Sequence, residues 1–138
     1  MTDQKRYAPI INKLRGAGLR PTRQRIALAE LMFRGEDRHI SAEMLHNEAT
    51  AARVSVSLAT VYNTLHQFTQ AGLLREIAVE AGRSYFDTNI SDHHHFYFEN
   101  DGRLEDIASE DVVVSSLPTP PGNAKISRVE VVVRVRED

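Results

Sequence analysis

Apolar residues recur at helical spacing along the first third of the chain, interrupted by glycine and hydroxyl residues. The inner face of a first helix is predicted to consist of Tyr7, Ile10, Ile11 and Leu14. Gly16 and Gly18 end this segment, and Thr22 is predicted to cap a second helix. The inner face of that helix is predicted to consist of Ile26, Ala29 and Met32 or Phe33.

Two further helices are predicted between residues 41 and 72. Ser41 is expected to cap a third helix that runs to about residue 52, with Ile40 and Leu45 at hydrophobic-staple positions. Ser57 begins a fourth helix, which Gly72 closes. Its inner face is predicted to consist of Leu58, Val61, Leu65 and Phe68.

The pattern changes to strands after the fourth helix. Segments 73–77 and 84–87 are predicted to form a hairpin around a turn at 80–83. Helices followed by such a hairpin are typical of a winged-helix domain, which we place at 1–88. After a linker at 89–92, strands are predicted at 93–99, 103–107 and 126–135, whereas 111–117 is either a short helix or extended.

The back half, 93–138, is predicted to be a dimerisation domain. Three strands cannot bury both faces in so short a segment, and pairing with a second copy solves that problem. The fold class is therefore α/β of the α+β kind, with an N-terminal winged-helix DNA-binding domain followed by a small α/β dimerisation domain.

Charge and composition separate the two halves further. Residues 1–85 carry 12 Lys and Arg against 8 Asp and Glu, while residues 86–138 carry 5 against 11. A basic front half suits phosphates, and an acidic back half supplies carboxylates. The chain has no cysteine, so any metal must be held by His, Asp or Glu rather than by a structural cysteine–zinc site. With neither a secretory signal nor a membrane span, the protein is expected to be cytoplasmic.

The outer face of the fourth helix is polar and uncharged, which suits base edges in a major groove. The positions predicted to contact bases or the adjoining backbone are Ser57, Ala59, Thr60, Tyr62, Asn63 and Gln67. Arginines near the first helices and at the hairpin tip are predicted to bind phosphates. They are Arg20, Arg23, Arg25, Arg53 and Arg83.

Three consecutive histidines, His93 to His95, stand close in sequence to Asp87, Asp92 and Asp106. On a strand, His93 and His95 point to one face and His94 to the other. Two imidazoles at this spacing can coordinate one metal ion, so the cluster indicates a metal or haem site.

These motifs together resemble the ferric uptake regulator family, and the resemblance spans nearly the whole chain. The motifs that carry it, in chain order, are 18–25 (GLRPTRQR), 39–43 (HISAE), 58–65 (LATVYNTL), 71–74 (AGLL), 82–87 (GRSYFD) and 93–102. The family resemblance implies a dimer that binds palindromic A/T-rich operators, with Tyr62 contacting bases. It also implies a sensory metal site formed by His39, Asp87, His93, His95 and Asp106.

Departures from the family pattern point to one subgroup. The cysteine pairs are absent, and Asn63 stands where most members have arginine. Together with the run of three histidines, these features resemble the iron response regulator subgroup. That resemblance implies that haem binds at His93, His94 and His95 and weakens DNA binding. That resemblance also implies ferrochelatase as a partner.

Two alternatives remain open. In the first, Fe, Mn or Zn fills the five-ligand site and strengthens DNA binding. In the second, the chain is a small metallohydrolase that uses His93, His95 and a carboxylate, although no His-Glu-x-x-His motif is present.

Overall fold

The computed structural model describes residues 2–80 and 82–138, and the chain divides into two compact units between Ile90 and Ser91. Ala81, in the predicted hairpin turn, lies outside the described residues. The described part contains four α-helices and two three-stranded sheets, which confirms the α+β class. None of these helices combines the length and apolar character needed to cross a membrane. The sequence-based domain limits stay a prediction.

The helices of the first unit begin where the hydroxyl caps predict. They are α1 (Thr2–Gly16), α2 (Arg23–Phe33), α3 (Ala42–Ala51) and α4 (Leu58–Gln70). Thr22, Ser41 and Ser57 each accept a hydrogen bond from the backbone N–H three residues later, at 3.2, 3.2 and 3.1 Å. Each cap satisfies a donor that the helix itself leaves without a partner.

The core of this unit corrects part of the predicted inner faces. Val61, Leu65 and Phe68 are fully buried, as are Ile40 and Leu45. Leu58, by contrast, is 37% exposed, because it is the first residue of α4 and lies at the end of the helix. Thr64 is buried in the same helix, where its hydroxyl donates to the Thr60 carbonyl.

Helices α2 and α3 add further residues to this core. Helix α3 buries Ala42, Leu45 and Ala49. Leu28, which was missing from the predicted face of α2, is fully buried beside Ala29 and Met32.

The sheet of the first unit contains β1 (His39–Ile40), β2 (Arg75–Glu80) and β3 (Arg83–Asp87), in the order β1-β3-β2. All pairs are antiparallel, and His39 and Arg75 both lie opposite Asp87. The hairpin is confirmed, although β2 begins at Arg75 rather than residue 73. Strand β1 was not predicted, and it brings the segment before α3 alongside the end of the hairpin.

The second unit contains β4 (His93–Phe98), β5 (Leu104–Ala108) and β6 (Val132–Val135), with a 3-10 turn at Ser109–Asp111. The order is β5-β4-β6; β5 is antiparallel to β4, and β6 is parallel to it. Of the strand predicted at 126–135, only the last part, Val132–Val135, forms a strand. Residues 112–131 have no helix or strand, so the helical alternative for 111–117 is wrong.

Candidate nucleic-acid and metal-binding sites

The outer face of α4 is polar and open to solvent. The exposed positions on this face are Ala59, Asn63, His66, Gln67 and Gln70. Their amide groups can pair with adenine edges, and the Ala59 methyl is small enough to meet a thymine methyl. The sequence predicted this face from helical periodicity alone, because each exposed position lies opposite the buried Val61, Leu65 or Phe68.

An arginine from α2 positions one of these amides. The Arg25 guanidinium donates to Gln67 Oε1 from Nε at 3.3 Å and from Nη2 at 3.0 Å, and its Nη1 donates to the Arg20 carbonyl at 2.9 Å. A surface cavity of about 440 Å³ lies beside this contact. The predicted DNA-contacting residues that line it are Arg20, Arg25, Thr60, Asn63 and Gln67.

Tyr62 has a fixed partner outside α4. Its hydroxyl donates to Glu43 Oε1 on α3 at 2.7 Å. This bond lowers the pKa of the Glu43 carboxyl, as does the more distant charge of Arg83, and it raises the pKa of Tyr62. Glu43, Tyr62 and Arg83 line a cavity of about 270 Å³ together with Ser41 and residues 82–85. Sequence reasoning missed Glu43, whose one signal was a carboxylate in the first turn of a capped helix.

Three further predicted DNA-contacting residues do not line these two cavities. Arg23 is exposed at the start of α2, and Arg53 is exposed in the turn after α3, with the unusual backbone φ of +60°. The Ser57 hydroxyl is committed to the end of α4, since it accepts from the Thr60 N–H and donates to Thr60 Oγ1.

One candidate pair of metal ligands lies within the first unit. His39 Nε2 is 3.2 Å from Asp87 Oδ2, and the Asp87 side chain is only 1% exposed. The other oxygen of Asp87 accepts from the Asn89 backbone N–H at 2.9 Å. The β1–β3 register creates this pair, because it sets His39 directly opposite Asp87.

Three more candidate ligands lie together within the second unit. His93 Nε2 and His95 Nε2 stand 3.2 and 3.4 Å from the same atom, Asp106 Oδ1. The two rings are 4.5 Å apart between centroids. His93 Nδ1 lies 2.7 Å from the Ser91 carbonyl, and since a carbonyl only accepts, this contact places the proton on Nδ1. His93 Nε2 is thereby left as the nitrogen that can bind a metal.

His94 is separated from the other two histidines, as strand alternation predicts. It is 9% exposed, and its Nδ1 accepts from the Val131 backbone N–H at 3.0 Å. Two of the predicted haem ligands therefore share a face of β4, and the third holds a different part of the unit.

The donor atoms decide which metals fit. Each of His39, Asp87, His93, His95 and Asp106 offers an imidazole nitrogen or a carboxylate oxygen. Mixed nitrogen and oxygen ligands suit Fe(II), Mn(II) or Zn(II), whereas a soft metal such as Cu(I) prefers sulfur ligands, which this cysteine-free chain cannot supply as thiolates.

The chain resembles characterised proteins over most of its length. The sequence profile of the Ferric uptake regulator family matches residues 16–133. The ferric uptake regulation protein of Bordetella parapertussis is 33% identical over 102 residues, which are 73% of each chain. That of Cupriavidus metallidurans is 36% identical over 100 residues, covering 72% of this chain and 70% of the relative.

The fold agrees with these sequence matches. The ferric uptake regulator of Pseudomonas aeruginosa, solved with manganese, superposes with a TM-score of 0.70 at 26% identity, over 91% of this chain and 96% of that one. Proteins of this family are transcription regulators rather than enzymes, which excludes the metallohydrolase alternative. The chain belongs to the Ferric uptake regulator family.

Proposed function

We propose that this chain is an iron-responsive transcription regulator that binds palindromic A/T-rich operators as a homodimer, with a divalent metal raising its affinity for DNA. The observation that carries the proposal is the convergence of His93 Nε2 and His95 Nε2 on Asp106 Oδ1. Two imidazole nitrogens and a carboxylate oxygen that meet at one point are a set of donor atoms for an ion that prefers nitrogen and oxygen ligands.

The paired His39 and Asp87 are proposed to complete the same coordination sphere. Ligands drawn from the winged-helix and dimerisation domains would fix the angle between them when a metal is bound. In a dimer, this angle sets the separation of the two recognition helices, which must match half-sites roughly 34–36 Å apart. A small change of angle would therefore be enough to abolish tight binding.

DNA contact is proposed to use the outer face of α4 and the arginines around it. Arg25 holds Gln67 through two hydrogen bonds, so the amide is oriented before DNA arrives. Arg20 lines the same cavity and is exposed, as a phosphate-binding residue must be.

The homodimer is supported by apolar side chains that the second unit leaves exposed. They are Val113, Val114, Leu117, Ile126, Val129 and Val133. Most of them lie in the stretch without regular secondary structure, and a second copy that covers them would remove apolar surface from water.

Haem binding at His93–His95, with loss of DNA affinity, is the competing proposal from the subgroup resemblance. It rests on the run of three histidines in a chain without cysteine. His93 and His95 lie on one side of the strand with ring centroids 4.5 Å apart, and both face Asp106, so with that carboxylate they would suit a small ion better than a haem. The ferrochelatase partner of that subgroup stays a prediction.

The test is a selection of duplexes from a random library by the full-length protein with MnCl2, followed by anisotropy titrations at fixed salt. We expect Mn(II) to raise affinity for the selected duplex and haem to leave it unchanged. Asp106→Asn should weaken Mn(II) binding at least about tenfold in calorimetry, since it replaces an anionic carboxylate ligand with a neutral amide. Glu105→Gln, one residue away and exposed, is the matched control.

Three results would contradict the proposal. A protein that selects no duplex under any ligand condition is not an operator-binding regulator. If haem lowers the affinity for the selected duplex and Mn(II) leaves it unchanged, the result supports the haem alternative instead. Equal Mn(II) affinity in D106N and E105Q would remove Asp106 from the site.

A further inference from the structure

We infer that Glu43 is a specificity-determining residue for the proposed DNA binding, because it holds the Tyr62 hydroxyl in a fixed orientation on the recognition helix. The inference rests on the proposed function. It adds Glu43, a residue of α3, to the residues of α4 that determine which bases are recognised. The contact is direct, with 2.7 Å between Tyr62 Oη and Glu43 Oε1.

The hydrogen bond determines what Tyr62 can offer to DNA. A phenol has one proton to donate, and Tyr62 gives it to Glu43. Its oxygen then faces a base as an acceptor, which suits the amino group of adenine or cytosine in the major groove. The carbonyl oxygens of guanine and thymine would meet lone pairs instead of a proton.

The surroundings support a role at the DNA surface. Glu43 and Tyr62 line one open cavity with Arg83 at the hairpin tip, which is a predicted phosphate contact. Tyr62 is also stacked on His66, with ring centroids 6.5 Å apart, so the ring is supported from its own helix as well as by Glu43.

The negative charge of Glu43 and its hydrogen bond to Tyr62 would affect DNA binding in different ways. A carboxylate near the DNA surface repels phosphates of any sequence, so it lowers specific and non-specific affinity alike. Loss of the hydrogen bond, in contrast, affects only the duplex whose base Tyr62 contacts. The ratio of specific to non-specific affinity therefore separates the two effects.

The experiment measures this ratio by anisotropy, with Mn(II)-loaded protein, the selected duplex and a scrambled duplex. We expect Glu43→Ala to lower the ratio by about tenfold, which is the discrimination of one good base contact. Glu43→Gln keeps an acceptor for Tyr62, so the ratio should stay near that of the parent. Both affinities of E43Q should rise together, by about threefold at low salt, and the increase should shrink at high salt.

A double-mutant cycle excludes a merely structural role in α3. Tyr62→Phe should lower the ratio as much as E43A, and E43A added to Y62F should lower it by no more than about twofold. Glu36→Gln, which removes an exposed charge elsewhere in the same unit, is the charge control and should leave the ratio unchanged.

The outcomes distinguish this inference from the function it rests on. If the parent protein selects a duplex but E43A leaves the ratio unchanged, or lowers it equally in the Y62F background, the inference is wrong and the function stands. If the parent protein selects no duplex, both are wrong.

Discussion

The His94 imidazole accepts a hydrogen bond from the backbone N–H of Val131, which lies 37 residues further along the chain, at 3.0 Å. The Val131 carbonyl accepts from the His95 N–H at 3.1 Å, so both backbone groups of Val131 are bound to β4. These two hydrogen bonds, which we call the His94 clasp, attach the residue before β6 to β4 after a long stretch without helix or strand. The histidine run thus has two roles, since His93 and His95 face Asp106 while His94 fastens the unit.

Replacing His94 by alanine should destabilise the protein by about 1–3 kcal/mol, because the Val131 N–H loses its partner in a partly buried place. His94→Gln can supply an amide oxygen and should recover part of the loss. Denaturant unfolding measures the stabilities, and hydrogen exchange at the Val131 amide reports the clasp directly. Mn(II) affinity should change little in H94Q. Equal stability of all three proteins would show that the clasp contributes nothing.

Arg53 allows a test that separates DNA binding from stability. Its φ of +60° strains any residue with a side chain, but glycine adopts it freely. We expect Arg53→Gly to be more stable than Arg53→Ala by about 1 kcal/mol in thermal unfolding. Both variants should bind DNA more weakly. The slope of log DNA affinity against log salt concentration should become shallower by about one, which corresponds to the loss of one phosphate contact. An unchanged salt dependence would remove Arg53 from the phosphate-binding set.

Two leucines of α4, one at its first position and one in its middle, should respond differently to replacement by alanine. Leu65 is fully buried, so Leu65→Ala should cost about 2–5 kcal/mol of the free energy of unfolding. Leu58 is 37% exposed, and Leu58→Ala should cost about 1 kcal/mol or less. Urea denaturation of the two variants checks this, and similar losses would mean that Leu58 is buried in solution.

The Glu43–Tyr62 bond should appear in the pH dependence of stability on both sides of neutrality. The folded-state pKa of Glu43 is below its ordinary 4.5, so its contribution is present above that value and is lost as pH falls through the folded pKa. The pKa of Tyr62 is raised above 10.0, so its contribution is present below that value and is lost as pH rises through the folded pKa.

Melting temperatures measured against pH should therefore fall less steeply in acid for Glu43→Gln and less steeply in alkali for Tyr62→Phe than for the parent. The difference in phenolate absorbance between the parent and Y62F isolates Tyr62 among the four tyrosines. If Tyr62 titrates at the ordinary value, the bond does not form in solution.

The sequence by itself determined the features that depend on neighbours within one or two helical turns. Thr22, Ser41 and Ser57 cap their helices because the bond spans three residues, and the polar face of α4 follows from its period. The family motifs and the alternation of His93 and His95 are equally local. The burial of Leu58 was nevertheless predicted wrongly. Leu58 follows the helical period of α4 but lies at the end of the helix, beyond the core.

Only the tertiary structure decided which distant groups meet. The pairing of His39 with Asp87 needs the β1–β3 register, and the bond from Tyr62 to Glu43 needs the packing of α4 against α3. The parallel pairing of β6 with β4, and with it the His94 clasp, has no local signal. Such contacts are chosen by burial and register over the whole unit, so a residue's own neighbours in the sequence do not reveal them.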